Sequence, residues 1–218
     1  GMQAIAMTDS GNLHGAFEFY KACKKQEIKP IIWVECSISR LGRASKEKSN
    51  DLYQIVLLAT SIEWYRNLIQ IVTISQLEWY YIDRPRVDLD LLRKYHSDII
   101  ALSGNHLWEI AQHITTGRSE EFILERIREY QDIFGRENYY LEVMSQGDIA
   151  YQGHINDELI RIAAKYSIPI VATHNVFYSK IDLSEPQDYL QAIASGRSID
   201  DPDRPSKLDG NHALLSEN

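Results

Sequence analysis

Short apolar runs separated by helical patterns constrain this chain more than any other feature. Residues 3–7, Ile31–Cys36, Leu52–Ala59, Ile99–Leu102, Tyr139–Met144 and Pro169–Thr173 are too short for core helices, and each reads as a buried strand. Between them, apolar residues recur at helical spacing: Ala16, Tyr20 and Cys23; Trp64, Leu68 and Ile71; Ile123, Ile127, Tyr130 and Phe134; Leu159, Ile162 and Tyr166. Shorter helices are predicted over 88–95, 106–115 and 186–195. This alternation, with no internal repeat period, predicts an α/β fold built on parallel-type strands.

A chain of 218 residues can bury a full core, as one α/β domain or two small ones. Its net charge of −8 and the lack of a Lys/Arg-rich run interleaved with aromatics disfavour autonomous gripping of nucleic acid. Cys23 and Cys36 form no CxxC pair and are expected in the core of a protein kept in a reducing cytosol. No apolar run approaches a membrane span and the amino terminus is no signal peptide, so a cytoplasmic protein is expected. The chain opens abruptly inside an element, as a fragment would.

Two acids stand where such a fold puts its chemistry. Asp9 follows the first apolar run and precedes Gly11 and the helix from Ala16. Glu35 closes the second run, and a buried strand has no reason to carry an acid except where it can reach a site. Trp79-Tyr80-Tyr81 reads either as a stacking platform for bases or as an aromatic cluster buried under a connection. His14, His96, His106, His113, His154 and His212 lack metal-ligand spacing and are expected on the surface. Walker, Rossmann and Ser-His-Asp signatures are absent from the sequence.

The run Thr8-Asp9-Ser10-Gly11-Asn12-Leu13-His14-Gly15, with Glu18-Phe19-Tyr20-Lys21 after it, resembles the second motif of the PHP (polymerase and histidinol phosphatase) family. Within that family it resembles the branch that fronts bacterial DNA polymerase III alpha subunits. The resemblance covers essentially the whole chain, apart from the family's opening His-x-His strand. It implies a distorted seven-stranded β/α barrel lacking its first strand here, with a PHP domain over 1–199. Residues 200–218 would be a linker toward the polymerase palm, the Asp200-Asp201-Pro202-Asp203-Arg204-Pro205 run reading as stiff and extended. An incomplete barrel exposes a strand edge, which predicts some tendency to dimerise.

The same resemblance implies a metal cluster that activates water against a phosphoester. At the positions of its ligands this chain carries Ser10, Gln54, Asn105, Gln146, Asn175 and Phe177, while Asp9 and Glu35 stand unchanged. An apolar ring cannot coordinate, and neutral amides are poor partners for zinc. The expectation is therefore a vestigial site with no resident cofactor. Weak Mg²⁺ or Mn²⁺ binding through Asp9, Glu35 and waters stays open, as does a purely structural role in which both acids accept hydrogen bonds from loop amides. The alternative is an active metal-dependent phosphoesterase or 3′–5′ exonuclease using the same two acids. His174 alternates away from 175 and 177 and is not expected to replace a ligand. The partners implied are the rest of the polymerase chain and other replisome subunits, including a proofreading exonuclease. DNA would be met only through the parent, a DNA-directed DNA polymerase.

Overall fold

A computed structural model of the chain describes residues 2–42, 44–45, 52–59, 61–81, 84–104, 108–145, 151–206, 208 and 211–215. The first strand, β1 (Ala4–Ser10), runs three residues further than its apolar run and keeps Thr8, Asp9 and Ser10 in the sheet. It is followed by α1 (Ala16–Lys25) and by β2 (Lys29–Ser39), which continues well past Glu35. Then come β3 (Leu52–Ala59), α2 (Ile62–Glu78) and a small hairpin of β4 (Tyr80–Tyr81) with β5 (Arg84–Val87). The remainder alternates as the pattern predicts: α3 (Leu89–Tyr95), β6 (Ile99–Leu102), α4 (Glu109–Thr115), α5 (Glu120–Phe134), β7 (Tyr139–Met144), α6 (Gln152–Tyr166), β8 (Ile170–Thr173) and α7 (Ser184–Ser195). Side-chain caps mark several starts, Ser61, Asp88 and Ser119 each accepting from the backbone N–H three residues on.

The sheet runs β4-β5-β2-β3-β6-β7-β8, with β1 beside the first half of β2, and curls into an open half-barrel. It is mixed rather than parallel, because β3 is antiparallel to both β2 and β6. The physical reason lies between Ser39 and Leu52, where no helical pattern exists: a parallel return needs a crossover element, whereas an antiparallel one needs only a loop.

Side-chain alternation gives the sheet two different faces. Toward the helices point Val34, Cys36, Ile38, Ile55, Leu57, Ala101, Tyr139 and Leu141, the centre of the main core. A fully buried side chain such as Leu57 contributes roughly 1.5–3 kcal/mol to it. The other face holds a smaller cluster of Val56, Leu58, Leu102 and Trp108, flanked by Ile31, Trp33, Tyr140 and Val171. Trp108 lies flat on Gly104, where a Cβ would come within 1.1 Å of its ring and φ is +80°. Only glycine serves there.

Among the helices, Arg40 at the end of β2 donates to Glu109 of α4 and, at 2.7 Å, to Glu129 of α5. Tyr130 donates to Glu109 at 2.5 Å and stacks on Tyr139. His113, expected on the surface, is buried beside the same carboxylate, between the rings of Tyr53 and Phe122.

The carboxyl-terminal run is not extended. Asp201 accepts from the Asp203 amide and pairs with Arg197, while Arg204 turns back to grip Asp188 of α7 through both guanidinium nitrogens, at 2.7 and 2.5 Å. Residues 212–214 then return to 175–178. The His212 amide donates to the Tyr178 hydroxyl and the Leu214 amide to the Tyr178 carbonyl, which buries His212 instead of exposing it.

Candidate functional site

Ser10 on β1 and Glu35 on β2 are register partners, and Gln54 on β3 stands on the same inner face. Their side chains meet: Ser10 Oγ and Gln54 Nε2 both donate to Glu35 Oε1, at 3.1 and 2.7 Å. One oxygen of the Glu35 carboxylate is thus held by two neutral side chains from the adjoining strands.

Asp9 does not join them. Being one residue out of phase with Ser10, it shares register with Val34 and points to the helix side. There its Oδ2 accepts from the Gly15 amide at 3.3 Å, at the start of α1, where a negative charge offsets the unsatisfied N–H groups. A Cβ on Gly15 would be tight, 3.0 Å from Met7 Sδ, so a larger residue there would push the methionine aside. The structure therefore separates the two acids that the sequence pairs.

On the far side of the sheet, the Asn175 carbonyl lies 3.0 Å from His212 Nδ1, and the Phe177 ring packs edge-on against the same imidazole at 5.1 Å. His174 places Nδ1 2.8 Å from the Ser145 carbonyl, so Nδ1 carries the proton and Nε2 is left buried without a hydrogen bond. Asn105 and Gln146 lie outside the described residues, as does His106. Tyr80, from the aromatic cluster, is exposed on its short hairpin rather than buried.

Sequence reasoning missed Glu142, a buried acid in the middle of β7 and on the inner face. Thr173 donates to its Oε1 at 2.5 Å, and Oε2 has no hydrogen-bond partner. Burial raises its carboxyl to about 7; the Thr173 hydroxyl and Gly104 amide act against this, and the Glu35 charge adds to it. The sequence does carry a signal for it: like Glu35, Glu142 is an acid inside an apolar strand, Tyr139-Tyr140-Leu141-Glu142-Val143-Met144.

A zinc-type cluster requires several imidazole, thiolate or carboxylate donors converging on one point. Among the described residues, no group of three or more His, Cys, Asp or Glu is placed to hold a metal ion. Ser10 and Gln54 spend their hydrogen bonds on Glu35, Asp9 faces the helices and Phe177 is packed on an imidazole, so the described residues of the set do not fit such a cluster. The arrangement is a hydrogen-bonded polar group on the inner face of an open sheet.

A half-barrel that brings Ser10, Glu35 and Gln54 of β1, β2 and β3 together on its inner face defines a class, and the comparison of sequences agrees with it. The PHP domain family model matches residues 1–146, and the chain belongs to the PHP family. It is 34% identical over 205 residues to DNA polymerase III subunit alpha of Thermus aquaticus, covering 92% of this chain and 16% of that protein. It is 35% identical over 207 residues to the same subunit of Borreliella burgdorferi, covering 93% of this chain and 18% of that one. The chain thus spans about a sixth of the length of these relatives. A solved structure from Bifidobacterium adolescentis, described as a metal-dependent phosphoesterase, aligns over 79% of this chain and 76% of its own at 12% identity. Its TM-score of 0.45 is too low to bear on this chain. No helix among the described residues is long and apolar enough to cross a membrane.

Proposed function

We propose that this chain is a PHP domain of the DNA polymerase III alpha type that works as a scaffold rather than as a phosphoesterase. In this reading it braces the polymerase core of a cytoplasmic parent protein and offers a surface to replisome subunits, a proofreading exonuclease among them. DNA is engaged by the parent, not by this acidic domain.

The observation that carries the reading is the closure of Glu35 by Ser10 and Gln54. A carboxylate oxygen that accepts two hydrogen bonds from its former neighbours' positions is satisfied without an ion. The test is metal content by mass spectrometry after incubation with Zn²⁺ and Mn²⁺ and then desalting. Retention of less than about a tenth of an ion per chain is expected; one or more tightly held ions would overturn the reading. Nucleotide release by the chain and by its Asp9→Ala variant should match at the background rate, because Asp9 faces away from the inner face.

A further inference from the structure

Helix α7 is turned inside out. Its buried side carries Asp188 and Ala192, while Tyr189, Leu190 and Ile193 are 48%, 59% and 75% exposed, next to the exposed Ile181 and Leu183. An amphipathic helix normally does the reverse. Here the orientation is imposed by charge: Arg204 grips the Asp188 carboxylate with two nitrogens, and Ser206 donates to it at 2.7 Å. The clasp holds an apolar stripe toward solvent.

The same chain carries a complementary feature. Between α1 and the start of α2 lies an apolar cleft of about 520 Å³, lined by Ala16, Phe17, Tyr20, Ile32, Ile62 and Tyr65. Phe17 and Ile62 at its mouth are 67% and 60% exposed. Its size suits a cluster of anchoring side chains. Around the cleft, exposed Lys21, Lys24, Lys25, Lys29 and Arg66 outnumber exposed Glu18, Glu27 and Glu63, and around α7 exposed Asp182, Glu185, Asp200 and Asp203 outnumber exposed Lys180 and Arg197.

We propose that a second copy of this chain covers α7: the Tyr189–Leu190–Ile193 stripe of one copy seats in the α1–α2 cleft of the other. Both surfaces are apolar and the excess charges beside them are opposite in sign, and each copy offers one surface of each kind. The contact is separate from the open strand edge and independent of the scaffold reading, whose own test is metal content.

The experiment is light-scattering mass against concentration for the chain, for Ile193→Asp and for Phe17→Asp, with circular dichroism to show that all three fold. Both substitutions fall on exposed side chains. The parent should exceed the mass of one chain as concentration rises, and each substitution should weaken association about tenfold or more. An equimolar mixture of the two variants should regain association, because an intact stripe then meets an intact cleft. A single-chain mass throughout, or association that survives both substitutions, overturns the proposal. A mixture that stays monomeric overturns it too, since like surfaces would then be meeting like.

Discussion

Glu109 and Glu142 are both almost fully buried, yet they titrate in opposite directions. Glu109 stands among the helices, where burial alone would raise its carboxyl, but the His113 hydrogen bond, the Arg40 charge and the Tyr130 hydroxyl together hold it below the ordinary range. Glu142 stands on the inner face with one hydroxyl partner, a backbone amide and the repelling charge of Glu35, so burial wins and it rises to about 7. The difference is one of completeness. A buried charge is tolerable when it is hydrogen-bonded: Glu109 accepts from Arg40 and Tyr130, while Glu142 Oε2 goes without a partner.

Four substitutions break or sharpen that contrast. Glu109→Ala leaves Arg40 with Glu129 alone among the described carboxylates and strips the buried Tyr130 hydroxyl of its acceptor, which should cost about 4 kcal/mol of unfolding free energy in a urea titration. Gly104→Ala drives a Cβ into Trp108 from a left-handed backbone, and about 3 kcal/mol should be lost even though the inner cluster is small. The Glu142→Gln effect depends on pH. The folded-state value lies above the ordinary 4.5, so the protonated form is favoured by folding; that stability is present below pH 4.5 and lost as pH rises through about 7. Glutamine removes this slope. Relative to the parent, the variant should therefore gain about 2–3 kcal/mol between pH 4.5 and pH 8, measured as paired melting curves. Glu109 has the reverse sign: its contribution is lost as pH falls below the ordinary carboxylate range. Asp9→Ala should be the mildest, about 0.5–1 kcal/mol, because it removes one acceptor from the start of α1. A large loss there would mean that Asp9 does more than hold that turn.

Much of the fold was legible. The runs at Ile99–Leu102 and Tyr139–Met144 are strands with those bounds, and the Ile123, Ile127, Tyr130 spacing lies on the buried side of α5. Cys23 and Cys36 are core residues, as expected, with burial pushing the Cys36 thiol up to about 12. Other readings failed for local reasons. Tyr20 sits at helical spacing with Ala16 and Cys23 but is 46% exposed, because it borders an open cleft rather than a neighbouring element. The antiparallel direction of β3 is not recorded in its composition, which is as apolar as that of a buried parallel strand, and is set by the missing crossover before it. His113 and His212 carry no spacing signal at all, since their partners, Glu109 apart, come from distant segments.

What the sequence determined by itself is the order and type of the elements, through periodicity, and the positions of the family motif, through residue identity. What only the tertiary structure decided is which face each chemistry-bearing residue takes. Asp9 and Glu35 are one phase apart relative to their strand register, so one serves a helix start and the other meets Ser10 and Gln54. Asp188 lies inward because Arg204, sixteen residues away, closes on it. Both outcomes follow from pairing across the chain, where a shift of one residue reverses a side chain's direction and no local pattern records it.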